Sequence, residues 1–419
     1  MRDKKIHTLL KTLGPGLLYA GAAIGVSHLV QSTRAGAMFG FSLVWAILLA
    51  NLFKYPFFEF GPRYASATGE SLIDGYKRLG YWAVILFLIV TVLTMFTIQG
   101  AVTIVTAGIA MKIFPWLNIS AIGWVLLLLG ICTGVLVLGK YGILDSLMKY
   151  IIVVLAICTV TALIAALLYA ENTSKTVVSS FNWSSDTDRS FLIALMGWMP
   201  APIDIAIWHS LWTLAKRKDT GYKASLKESL FDFNIGYWGT VILAICFVSL
   251  GALVLHSSGQ ELSPKGAVFA SQIIGIYTSS LGNWSYPIIA IAAFATMFST
   301  TLTCLDAFPR VLRRTTEVLL PHVEEDKHRK LYWFWIGTVV SGAIFLLIFL
   351  KDNMTQFIDM ATILSFLTAP ILAYLNFKLV MSKHTPEEAR PGKLLKAISI
   401  AGLVFLSAFS VLFLYWKYF

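Results

Sequence analysis

The chain has 419 residues, of which 57% are hydrophobic, 14% aromatic and only 13% charged, whereas soluble domains average about 45–50% apolar and about 25% charged. That balance excludes a water-soluble fold, a disordered chain, a coiled coil and a disulfide scaffold as the main architecture, and leaves an all-α integral membrane protein. The net charge of +11 would suggest nucleic acid in a soluble protein; here it fits basic residues gathered in the cytoplasmic loops of a membrane protein, and no nucleic-acid partner is expected.

A membrane-spanning helix needs about 20 mostly apolar residues. Eleven stretches qualify: 13–36, 41–60, 82–111, 119–138, 147–170, 191–214, 235–255, 285–305, 333–350, 357–380 and 395–416. The basic N-terminus MRDKKIHTLLK runs straight into membrane-length structure with no small-residue cleavage site, so it is not read as a removable signal. With the N-terminus inside, the inner segments hold 24 of the 33 Lys and Arg residues and the outer segments hold six; Arg34, Lys54 and Lys149 lie in or beside spans. This asymmetry predicts a cytoplasmic N-terminus and an outer C-terminus. Residues 172–189, rich in Ser, Thr and Asp, read as an outer loop. Cys132, Cys158, Cys246 and Cys304 all lie in apolar stretches without a CxxC pair, so neither a disulfide nor a zinc site is expected. Short loops and no organelle signal suggest a multi-pass protein of the bacterial inner membrane. The whole chain, 1–419, reads as a single transmembrane domain, expected to be a monomer whose partners are the bilayer and a small inorganic ion.

Two spans carry helix-disfavouring sequence at membrane depth. The first runs from Gly14-Pro15-Gly16 through Gly25, Ser27 and His28 to Arg34; the sixth holds Gly197, Met199, Pro200, Ala201, Pro202, Asp204 and His209. Prolines remove amide donors from the helical ladder. Irregular backbone at this depth is tolerated only where it is buried in protein or lines a cavity, and interrupted spans at matching positions of two halves point to a transporter binding site. Spans one and six are such a pair if spans 1–5 and 6–10 form inverted repeats, over about 12–170 and 190–380 with an extra helix over 393–418, and the expectation is then a secondary transporter working by alternating access. No HExxH, GxSxG, Walker or GxGxxG arrangement occurs in a usable context, so an enzyme or an ATP-driven pump is not expected.

At these residues the chain resembles the Nramp family of metal-ion transporters, which have a LeuT-like fold of 11 helices with helices 1 and 6 broken. The opening Gly-Pro-Gly and the Ala35-Gly36-Ala37 to Phe41 segment match that family's first span without a gap. Arg63-Tyr-Ala-Ser-Ala-Thr-Gly-Glu-Ser-Leu72 is similar to its segment after span two, and Gly108-Ile-Ala-Met111 to the end of its span three. Met199-Pro200 and His209-Ser210 are similar to its span six. The functional positions differ. The family's Asp-Pro-Gly-Asn falls on Gly25, Val26, Ser27 and His28. Its span-six methionine is matched by Met199 or by Ala201, depending on the anchor. Its span-three carboxylates fall on Gly100 and Thr103.

Replacing a carboxylate by Gly25 removes a counter-charge for a cation, while His28 and Arg34 add basic groups near half-helix ends that suit anions. The expectation is therefore a small anion, with bicarbonate as the leading candidate; the alternative is a divalent cation, Mg2+ or Mn2+, hard rather than soft because a sulfur ligand is in doubt. The expected substrate-binding residues are Gly25, Ser27, His28, Met199, Pro200, Ala201 and Asp204, with Arg34, Glu59 and His209 in coupling or gating. No cofactor is expected; Na+ and H+ are the candidate coupling ions. Arg34 is expected to pair with Glu59 or Asp359, and Lys54 with Glu59. Asp232, Asp306 and Asp359 are expected to be solvated at span ends, and Trp198, Trp208 and Trp212 to be packing or interfacial anchors.

Overall fold

A backbone without water must satisfy its own hydrogen bonds, and a helix does so within one segment. The computed structural model describes residues 14–138, 141–169, 181–256, 262–321, 327–350 and 353–418. The N-terminal tail 1–13, Lys140, the first half of the expected outer loop (172–180, including Lys175) and Lys351 lie outside the described residues. The helices are α1 (Pro15–Ala23), α2 (Thr33–Phe39), α3 (Val44–Thr68), α4 (Leu72–Leu79), α5 (Tyr81–Ile113), α6 (Ala121–Val137), α7 (Tyr141–Tyr169), α8 (Asp186–Gly197), α9 (Asp204–Thr220), α10 (Leu226–Leu250), α11 (Gly266–Leu281), α12 (Tyr286–Leu319), α13 (Lys327–Leu350), α14 (Met354–Val380) and α15 (Lys393–Tyr418). Each of the eleven expected spans falls on a helix or a broken pair of helices. Two short helices were not expected, α4 and α11.

Several helix starts are written in the sequence. Ser71, Ser120, Ser185 and Ser225 accept hydrogen bonds from first-turn amides of α4, α6, α8 and α10. Asp74 and Glu228 return the bond to complete capping boxes.

The bundle is layered about α12. In the most apolar 18-residue stretch of that helix 83% of residues are buried, against 22% for α13 and 28% for α15, so α12 is central and the other two face lipid. Around it α5 lies along α12, α8 along α14, α9 along α3, and α1 along α10. The last pair meets backbone to backbone. A Cβ on Gly16 would lie 2.0 Å from the Asp232 carbonyl oxygen, and one on Gly236 would lie 2.1 Å from the Gly16 carbonyl oxygen. Small residues permit such close helix approach in membranes.

Both breaks are present. In the first span α1 stops at Ala23, Gly25 adopts φ −146° and ψ −125°, and Val26–Ser32 form a wide π turn before α2. In the sixth, α8 ends at Gly197 and α9 begins at Asp204, with a cis Met199-Pro200 peptide between them. Asp204 is the first helical residue after the break, and the first turn of α9 closes with the bonds from Ile205 to Pro202 and from Ala206 to Ile203.

Candidate functional site

The two breaks meet around a small cavity of about 20 Å3, room for one water-sized particle. Its walls come from both broken spans, α5 and α12. Val26, Ile98, Val102 and Ile205 supply apolar surface, Trp198 and Trp208 supply rings, and Ser27, Thr300 and Cys304 supply polar atoms. Of the expected binding residues, Ser27 lines this space. Met199 and Ala201 are buried, at 0% and 1% exposure, but they and Pro200 stand outside its wall. Trp198 and Trp208 are packed in the buried core, as expected of them, and also form part of the wall, because the unwound stretch and the first turns of α9 present them inward. Trp198 is fixed there by its indole N–H, which donates to Ser365 Oγ at 2.7 Å.

Gly25 sits beside α12. A Cβ there would lie 3.0 Å from both Oγ1 and Cγ2 of Thr300. Thr300 is itself held, its hydroxyl donating to the carbonyls of Thr296 and Gly21. The space a larger side chain would need at position 25 is thus already filled by Thr300.

His28 faces away from the cavity. Its Nε2 donates to the Thr240 carbonyl on α10 at 2.9 Å, and its Nδ1 lies 2.7 Å from Ser27 Oγ and 3.1 Å from the Ala23 carbonyl oxygen. Arg34 is also engaged. Its two terminal nitrogens donate to Asp359 at 2.6 and 2.9 Å and to Gln31 Oε1 at 2.8 Å, while its guanidinium lies 4.9 Å from the Phe191 ring centroid. Gln31 Nε2 donates to Asp359 Oδ1 and Thr362 Oγ1. One cluster therefore ties α2 to α8 and α14. Arg34 pairs with Asp359, one of its two expected partners.

The expected Lys54–Glu59 pair does not form. Glu59 accepts from Arg63 one turn along α3, and Arg63 also reaches the Ala389 carbonyl. Lys54 donates instead to the carbonyls of Met196 and Gly197, each at 2.7 Å. Two acids expected to be solvated are buried, each at 3% exposure. Asp306 accepts from Arg310 and Tyr332. Asp232 accepts from the amides of Gly14 at 3.1 Å and Gly16 at 2.7 Å, satisfying donors that the start of α1 leaves free.

Asp204 is 2% exposed and its Oδ1 has no hydrogen-bond partner. It stands within electrostatic reach of Cys304 on the cavity wall and of Tyr76. His209 lies a little over one turn further along α9. It is fully buried, stacked on Tyr19 at 5.9 Å between centroids, and neither ring nitrogen has a partner. It lines a second cavity at the basic end of the bundle together with Asp232, Lys216, Arg217 and Lys223. No group of three or more His, Cys, Asp or Glu residues that could hold a metal occurs among the described residues.

The profile described as natural resistance-associated macrophage protein-like matches residues 16–416. The chain belongs to the Nramp family. An uncharacterized protein of Pasteurella multocida (strain Pm70) is 38% identical over 97% of this chain and 93% of its own length. Metal transporter Nramp3 of Oryza sativa subsp. japonica is 23% identical over 91% of this chain and 70% of its own. In fold the chain is similar to a mutant of the Eremococcus coleocola manganese transporter, with a TM-score of 0.70, 13% identity, and coverage of 97% of this chain and 86% of that one. The architecture is LeuT-like. This Nramp-family protein is a multi-pass membrane transporter and not an enzyme. Gly25, the position on which the resemblance places the family's first-span Asp, has Thr300 in the space beside it.

Proposed function

We propose that this Nramp-family transporter carries a hard divalent cation, Mg2+ or Mn2+, by alternating access through the cavity between its broken helices. One observation carries the reading. The single carboxylate at the break, Asp204, has a buried oxygen with no partner, and buried polar atoms of this kind are nearly always matched. An acid within a membrane span is functional by default. Mg2+ and Mn2+ take oxygen ligands, which here come from Asp204 and the hydroxyls of Ser27 and Thr300. The relatives named as metal transporters point the same way.

The anion reading rested on His28 and Arg34. Both are occupied, one by Thr240 and Ser27, the other by Asp359 and Gln31, so neither is free to hold bicarbonate in the cavity. Nothing in the comparisons supports that substrate.

Two closures bound the pathway in this reading. The Arg34–Asp359 cluster seals the end of the bundle at α2, and the Asp232 contact with the start of α1 seals the basic end. The basic end is placed in the cytoplasm of a bacterial cell, with the N-terminus there and the C-terminus outside, on the strength of the loop charges. The two inverted repeats and a monomeric unit belong to the same reading.

The test is ion flux into liposomes holding the purified protein. Saturable uptake of Mn2+ or Mg2+ without bicarbonate movement is expected. Bicarbonate flux with neither dication moving would overturn the reading.

A further inference from the structure

Lys54 is on α3 at membrane depth and is completely buried. It does not snorkel toward a headgroup, as long basic side chains near span ends do. Its Nζ donates to the carbonyls of Met196 and Gly197, each at 2.7 Å. Among the described residues no carboxylate lies within ion-pairing distance of it. Glu59, the nearest acid along α3, is taken by Arg63. The ammonium is therefore bound by backbone oxygens alone.

Those two oxygens belong to the carboxyl end of α8, where helical hydrogen bonding stops. The last carbonyls of a helix have no partner within it and carry partial negative charge. The residue that follows, Trp198, has φ −105° and ψ 11°; it is not in the left-handed conformation with which a chain commonly closes a helix end on itself. In lipid no bulk water is available to take its place. Half-helix carbonyl ends of this kind are places where transporters hold small cations. Two neutral oxygens with no carboxylate suit a single charge and are too poor a ligand set for a dication.

We propose that the carbonyl end of α8 is a monovalent-cation site which the chain fills with its own side chain. Lys54 is a tethered cation that holds the end of the half-helix in place, and the transporter needs no free Na+ at this position. Removing the side chain uncovers the site and makes the protein dependent on a small cation from solution.

The test is thermal unfolding of the purified full-length protein in choline chloride, sodium chloride and methylammonium chloride at equal ionic strength. The wild type is expected to unfold at the same temperature in all three. Lys54→Ala is expected to unfold at a lower temperature in choline and to recover saturably as methylammonium or Na+ is added, as ligand linkage requires. A Lys54→Ala protein that ignores both cations would overturn the proposal. If that variant does not fold in choline, Lys54→Met and Lys54→Arg decide. An Arg protein close to the wild type, with the Met protein well below it, supports a need for positive charge. Equal behaviour of the two, whether both intact or both destabilised, overturns it.

Discussion

At the scale of single residues, the site is set by one free acid and by several charges that are not free. Asp204 keeps a buried oxygen without a partner at the break in the sixth span, whereas His28, Arg34, Lys54, Glu59 and Asp232 are each committed to a partner. Asp204→Asn is expected to lower divalent flux at least tenfold, about 1.4 kcal/mol or more in site affinity, while the unfolding temperature stays level or rises because a desolvated carboxylate has gone. An unchanged flux would remove Asp204 from the site. Gly25→Asp tests the Thr300 contact from the other side. Restoring the family's acid is expected to destabilise the protein by about 1–3 kcal/mol through overpacking, and Thr300→Ala in the same chain is expected to recover part of the loss. Additive effects, measured by thermal unfolding of the single and double variants, would show that the two positions do not compete for one space.

At the scale of elements, the broken spans announced themselves and their facing did not. Gly14-Pro15-Gly16, Gly25 and the Pro200/Pro202 pair mark disturbed helices by their backbone chemistry alone, and both breaks are there. Which side chains look into the cavity depends on the turn that follows. Val26–Ser32 form a π turn rather than an α-helix, so the usual three-to-four-residue spacing does not apply, and His28 is carried round to Thr240 while Ser27 stays at the wall. The missed helix α11 has a similar cause. Its sixteen residues mix Ser, Thr and Gln with apolar positions and lack the long apolar run that reveals a span. The Asp232 contact was not legible because it joins residues 216 positions apart. Elements also carry the closures. Arg34→Gln is expected to loosen α2 from α14 and to raise labelling of Cys304 on the cavity wall by a membrane-impermeant maleimide added from that side. The measurement is made with Cys132, Cys158 and Cys246 replaced, and no gain in labelling would mean that the cluster is not the barrier.

At the scale of the whole molecule, length, apolar content and loop charge were enough to define a polytopic helical bundle, and the Gly/Pro pattern was enough to recognise its broken pair. Composition could not rank the substrates, since ranking them needed the partners of His28 and Arg34 in three dimensions. The odd number of expected spans makes a whole-chain prediction. Fused alkaline phosphatase is expected to be active at the C-terminus and inactive at the N-terminus in a bacterial host, because that enzyme matures only outside the cytoplasm. Activity at neither end, or at the N-terminal end, would break the assignment drawn from the 24-to-six division of basic residues.

The Asp232 contact also sets a tempo. Any movement that draws α1 away from α10 has to break two hydrogen bonds to one carboxylate, at 2.7 and 3.1 Å. Bonds to a charged group are worth roughly 1.5–3 kcal/mol each, so the pair adds about 3–6 kcal/mol to the barrier if water arrives only afterwards. That corresponds to a slowing of about 10^2- to 10^4-fold. A motion that would otherwise take about a microsecond is moved to between about a tenth of a millisecond and about ten milliseconds. Turnover on that scale would be governed by how often the carboxylate lets go, and Asp232→Asn would be expected to run faster than the wild type even as it binds the same ion.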